Sequence, residues 1–206
     1  MLNVFIYVGL LVLFLNFVLF IRCFSLQDKV FKIFTGYLGL VLVIQIISNV
    51  LARVNINNLY LSHFYFVGQF IILSFFYKVL LKETYQKKIV TVGLYAGLAV
   101  IGIQYVLDPS LFFKFNLFEI FITSFLIVSY ATLHLYNILN EKKEYYYINM
   151  GILLYLFGST ILFIVGNLTN ILRLEYTKIP WVLNSGLYIV YQLFILLEWK
   201  KSFSKK

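Results

Sequence analysis

Seven apolar runs, each close to the length of a membrane-spanning helix, take up nearly all of this 206-residue chain. A spanning helix needs about 20 residues, and the runs are Asn3–Ile21, Phe31–Leu51, Leu59–Leu80, Ile89–Leu107, Leu111–Leu135, Ile148–Leu172 and Trp181–Leu197. The polar connectors between them, such as Gln27–Lys29, Lys82–Lys88, Asp108–Ser110 and Glu141–Glu144, are too short to fold alone. Hydrophobic residues make up 62% and charged residues 12%, against roughly 45–50% and 25% in soluble domains. The pattern predicts an all-α polytopic membrane protein of seven transmembrane helices in one domain. The first run lacks a basic n-region, exceeds the roughly 7–15 apolar residues of a signal peptide, and has no small-residue cleavage site before Arg22, so it is expected to be a permanent helix. Cys23 is the single cysteine and has no partner for an intramolecular disulfide.

The net charge of +9 raises the question of nucleic acid, and the placement of the basic residues answers it. Arg22, Lys29 and Lys32 follow the first run, Lys78, Lys82, Lys87 and Lys88 the third, Lys142 and Lys143 the fifth, and Lys200, Lys201, Lys205 and Lys206 the last. Against these thirteen stand Arg53, Lys114, Arg173 and Lys178 on the opposite side. Lysine and arginine accumulate on the cytoplasmic side of spans. The bias therefore predicts an external N-terminus and a cytoplasmic C-terminus in the inner membrane, with contacts to the lipid bilayer and no direct nucleic-acid binding.

Two helix pairs share a pattern. Ser62, Tyr65, Val67, Gln69, Ile72 and Leu73 match Ser185, Tyr188, Val190, Gln192, Ile195 and Leu196 at an offset of 123, and Ser48–Leu51 faces Thr169–Leu172 at 121. This suggests a parallel 3+1+3 repeat spanning 1–81 and 111–203, with helix four as linker; chance matching among apolar helices is the competing reading. Helix four is nearly free of polar groups and carries Gly93 and Gly97. That spacing permits close approach, within the bundle or in a homo-oligomer.

Polar side chains at membrane depth face the bundle interior or water. Asn116, Glu119, Thr123, Tyr130 and His134 form one stripe on helix five. Gln45, Asn49 and Arg53 repeat at i, i+4 on helix two, and Asn149, Thr160 and Asn167 share a face of helix six. On helix three, Ser62, Tyr65 and Gln69 oppose His63 and Ser74. Alternating topology places Gln45, Asn49, Arg53, His63, Glu119, Asn167 and Asn184 in the outer half, with Gln69 near the midplane. The expectation is an outward polar cavity binding a small ligand, with Glu119 as its sole acid within a span and Arg53 or His63 as that acid's partner. The amides have a simpler use as interhelical hydrogen bonds, at about 0.6 kcal/mol each on average.

Other chemistries lack their residues. The last run has no lysine for a retinal Schiff base. The two histidines stand 71 positions apart with no ligand-spaced acid nearby, so no zinc site or other cofactor is expected. Neither a phosphate-binding glycine loop nor a GxSxG turn occurs. An enzyme would have to rely on Glu119 with His63, and none is expected.

The run His63-x-Tyr65-x-x-x-Gln69-Phe70-x-x-x-Ser74-x-x-Tyr77 resembles the small seven-helix integral membrane proteins of Bacteroidota, as do Ile148-Asn149-x-Gly151-Ile152-Leu153-x-Tyr155-x-x-Gly158-Ser159 and Trp181-x-x-Asn184-Ser185. Gln69 stands where the resemblance implies a glutamate. The resemblance implies a fold and no activity. The functional expectation is a receptor-like sensor signalling through a separate cytoplasmic partner. The alternatives are a small-solute transporter and a non-catalytic accessory membrane protein of a defence or secretion system.

Overall fold

Apolar residues spaced for helices become helices wherever the flanking residues can close the ends. The computed structural model describes residues 2–139, 143–172 and 177–204. Among them are α1 (Leu2–Arg22), α2 (Lys29–Arg53), α3 (Tyr60–Leu80), α4 (Thr84–Leu107), α5 (Leu117–Ile138), α6 (Tyr146–Ile171) and α7 (Ile179–Glu198). All seven are long and apolar enough to cross a membrane, the build of a multi-pass membrane protein. Leu11, Val106, Leu107 and Phe157 are each at least 65% exposed, a surface suited to lipid rather than water. Lys142, Arg173, Lys205 and Lys206, part of the charge bias, lie outside the described residues.

Three boundaries depart from the apolar runs. First, α4 begins at Thr84 rather than Ile89, which brings Lys87 and Lys88 into its first turns; long lysine stems lie along apolar surface while their heads reach water. Second, the apolar run from Leu111 is broken. Pro109–Phe113 forms a 3-10 turn in which Asp108 accepts from the Ser110 backbone N–H at 3.1 Å and hydroxyl at 2.6 Å. The helix resumes only at Leu117, where Asn116 Oδ1 accepts from Glu119 N at 3.2 Å. Asn116 therefore caps α5 rather than lying on its stripe, a role asparagine favours. Third, α7 runs one residue past Leu197 to Glu198 and passes there into a π turn, Trp199–Phe203.

The chain divides into two compact units. Residues 24–134 form one, containing α2, α3, α4 and most of α5. Phe31, Phe34, Leu38 and Val41 on α2 recur at helical spacing, as do Phe66, Phe70, Leu73 and Tyr77 on α3, and all are buried. Phe34 and Phe76 bring the two helices together at 5.4 Å between ring centroids. The α2 C-terminus closes on Asn55, whose φ of 56° is left-handed, with Ile56 N donating to Leu51 O at 3.0 Å. Asparagine tolerates that conformation and ends helices in this way. Gly93 and Gly97 are occupied within the unit. A Cβ on Gly97 would meet Leu126 Cδ1 at 2.9 Å and Phe70 at 3.0 Å, and one on Gly93 would collide with the Tyr130 hydroxyl.

The other unit comprises 1–23 and 135–206, with α1, α6 and α7. Its centre is polar: buried Asn16 on α1 donates to Gln192 O at 2.8 Å and Gln192 Oε1 at 3.0 Å on α7. Tyr155 of α6 stacks on Tyr191 of α7, 5.1 Å apart and 5° from parallel. Gly158 leaves space for Leu187, which a Cβ there would meet at 2.6 Å.

Candidate functional site

Glu119 is fully buried in the first turn of α5, and the groups that meet its carboxylate come from two other helices of the same unit. His63 on α3 places Nδ1 3.1 Å from Oε2 and 3.3 Å from Oε1. Tyr105, in the last turn of α4, donates its hydroxyl to Oε2 at 2.5 Å and lies 2.7 Å from His63 Nδ1. Beside them Asn116 Nδ2 donates to Gln104 Oε1 at 2.9 Å and Gln104 Nε2 returns a bond to Asn116 Oδ1 at 3.4 Å. Asn116 Nδ2 also lies 3.4 Å from the Tyr105 oxygen.

The far side of the imidazole defines its protonation geometry. His63 Nε2 lies 3.1 Å from the carbonyl oxygen of Phe112, and a carbonyl only accepts, so Nε2 carries a hydrogen. Nδ1 is then a lone pair in the neutral ring and a donor only in the imidazolium. With a neutral ring and an ionised carboxylate, the Tyr105 proton serves either Glu119 or His63. One added proton, on Nδ1 or on the carboxyl, supplies a second hydrogen bond to the trio. The three heavy-atom distances suit either placement of that proton.

The 3-10 turn covers this centre. The Phe112 ring stacks on His63 at 5.5 Å and 30° and also meets Tyr60 at 6.3 Å. Asp108, outside the spans, anchors the turn, and the Ser110 hydroxyl bond holds its carboxyl below the usual aspartate range. His63 thus joins a buried acid to an exposed turn.

Of the eight residues expected to line a cavity, the structure brings His63 and Glu119 into contact. It is His63 that makes the acid's contact, whereas Arg53 is exposed at the end of α2. Asn49 donates back to Gln45 O of its own helix at 2.8 Å. Gln69 is buried deeper in α3 and accepts from Tyr37 at 3.1 Å. Asn167 and Asn184 are half-buried in the other unit; Asn184 Oδ1 is buried without a hydrogen-bond partner. On the α5 stripe, Thr123, Tyr130 and His134 are buried with Glu119.

Two residues and one acid were not singled out in the sequence. Gln104 and Tyr105, on the last turn of the otherwise nearly apolar helix four, complete the centre. Asp108-Pro109 marks the end of this helix in the sequence, but nothing there singles out the two side chains. A second buried acid lies in the other unit, beyond the apolar run that ends at Leu197. Glu198 is 1% exposed, and its Oε2 accepts from the α6 amides of Tyr147 at 2.7 Å and Ile148 at 3.4 Å. Ser202 donates to Glu198 Oε1 at 2.5 Å.

Among the described residues no group of three or more His, Cys, Asp or Glu side chains is placed to hold a metal ion. Comparison with protein-family models, with curated proteins and with solved structures finds no match to this chain.

Proposed function

We propose that this chain is a receptor-like sensor of the inner membrane, with the Glu119–His63–Tyr105 centre as its responsive element. The observation that carries this reading is the double attachment of His63, to buried Glu119 through Nδ1 and to the Phe112 carbonyl of the exposed turn through Nε2. A proton, or a small polar ligand that takes over one of these bonds, alters the hold on Pro109–Phe113. The charge bias supports an external N-terminus, and alternation then puts this turn on the outer face. The response passes to a separate cytoplasmic partner through the helices that carry the centre. In this reading His63 and Glu119, joined by Tyr105, are the ligand-facing part of the expected cavity.

The experiment is the protection of the amides in 110–113 against hydrogen exchange, each rate divided by its intrinsic rate at that pH, measured across pH on the full chain in lipid nanodiscs. Protection in the wild type should change with pH, and both Glu119→Gln and His63→Gln should abolish the dependence. The same pH profile in all three proteins would overturn the proposal.

A small-solute transporter of 3+1+3 build is the second reading. Its support is that the matched glutamines, Gln69 and Gln192, are both buried and both accept an interhelical hydrogen bond. Solute uptake into proteoliposomes that vanishes in Glu119→Gln would favour it over sensing.

A further inference from the structure

Away from the Glu119 centre, the same unit carries a groove of about 800 Å³, within the range of about 300–1,000 Å³ typical of small-molecule sites. Its lining changes character along its length. Ile33 and Gly36 of α2 and Ile72, Phe75 and Val79 of α3 are apolar, while Lys29, Lys78 and Lys87 supply ammonium groups. Lys29 stands in the first turn of α2, Lys78 in the last turn of α3 and Lys87 in the first turn of α4, so three helices contribute charge to one end. From Lys29 to Gly36 the apolar wall runs for about 10 Å along the helix axis. Among the described residues none of the three ammonium groups makes an ion pair or a side-chain hydrogen bond, and no acid lines the groove. Asp28, beside Lys29, caps α2 through Phe31 N at 2.8 Å.

Gly36 shapes the groove. It is exposed, and a Cβ placed on it meets nothing within 4 Å. Its missing side chain therefore opens space for an occupant instead of admitting a neighbouring helix. Such a site lies on helices suited to a bilayer, is apolar along one stretch and triply cationic at its end, and matches one molecule from head to tail.

We infer that this groove binds a single anionic phospholipid, with its phosphate among Lys29, Lys78 and Lys87 and an acyl chain along Ile33, Gly36, Ile72 and Phe75. A lysine near an anionic headgroup contributes enough that losing three should reduce the preference for anionic over neutral lipid by about a hundredfold.

The test uses the full chain in nanodiscs of phosphatidylcholine, with or without phosphatidylglycerol. Native mass spectrometry of the released protein counts retained lipids. The wild type should retain one phosphatidylglycerol in preference to phosphatidylcholine, and Lys29→Gln/Lys78→Gln/Lys87→Gln should lose that preference. Gly36→Phe keeps every charge and fills the groove, so it should also lose the lipid. Gly36→Ala, which clashes with nothing, should retain it and serves as the control for folding. Thermal shifts with inorganic phosphate separate a lipid from a free anion: phosphate alone should leave the midpoint unchanged. Retention of phosphatidylglycerol by the triple-lysine variant or by Gly36→Phe would overturn the proposal, as would equal stabilisation by phosphate.

Discussion

Tyr105→Phe deletes one oxygen from the trio and leaves the ring in place, so its cost measures what that hydroxyl does. In the structure the hydroxyl lies 2.5 Å from Glu119 Oε2, the spacing of an O–H donor meeting an ionised oxygen. A hydrogen bond to a charged group contributes about 1.5–3 kcal/mol, while polar contacts between membrane helices average about 0.6 kcal/mol. The two magnitudes differ enough to decide. Glu119→Gln keeps the shape and can still accept from Tyr105, but holds no charge. In that background Tyr105→Phe should cost only about 0.6 kcal/mol. The double-mutant cycle should therefore show a coupling of at least about 1 kcal/mol, measured by reversible unfolding in mixed detergent micelles. A cost near 0.6 kcal/mol in both backgrounds would mean that no charge is held at the centre, and the proton-sharing argument would fail.

Three further outcomes follow from the packing and the caps. Gly97→Leu drives a side chain into Leu126 and Phe70 and should cost about 1–3 kcal/mol, whereas Gly102→Ala on the same helix meets nothing within 4 Å and should shift stability by less than about 1 kcal/mol; thermal unfolding of the pair checks the contrast. Glu198→Ala strips the cap from α6 at a cost of roughly 0.5–2 kcal/mol, and should raise hydrogen exchange at the Tyr147 and Ile148 amides. Asp108 has a lowered folded pKa, so its contribution is present above the ordinary aspartate value and is lost as pH falls through the lowered one. The stability difference between wild type and Asp108→Asn should shrink over that acidic window and stay constant at neutral pH.

The seven helices were legible because membrane spans are written in length and apolarity, which require no partner to be known. Their ends were less legible where a local polar group decides: the run Leu111–Leu135 reads as one apolar stretch, and the break is marked only by Asp108-Pro109 before it and the capping Asn116 within it. Glu119 and His63 stood out as ionisable residues at depth. Tyr105 did not, because a tyrosine near the end of a membrane helix has the ordinary use of anchoring at the interface. Only the positions of α3 and α5 turn its hydroxyl into part of the centre. The i, i+4 spacing of Asn49 from Gln45 put the two on one polar face, and in the structure the same spacing also lets Asn49 bond back to the helix's own backbone, which the pattern alone does not distinguish.

Glu119 and Glu198 are both almost completely buried acids in membrane-spanning segments, so burial cannot separate a functional carboxylate from a structural one. Their donors can. Glu198 receives two backbone amides at a helix N-terminus and one serine hydroxyl. None of these donors ionises in the ordinary pH range. Glu119 is held instead by an imidazole, whose Nδ1 can stand with or without a proton, and by a phenol that can donate to either neighbour. A carboxylate held by fixed donors has one arrangement, while one held by groups that themselves exchange protons has several of similar energy. The same substitution should therefore act differently at the two sites. Glu198→Gln should change stability and leave the pH profile of exchange protection at 110–113 intact; Glu119→Gln should remove that profile. If both variants altered it alike, the identity of the donors would not be what distinguishes these acids.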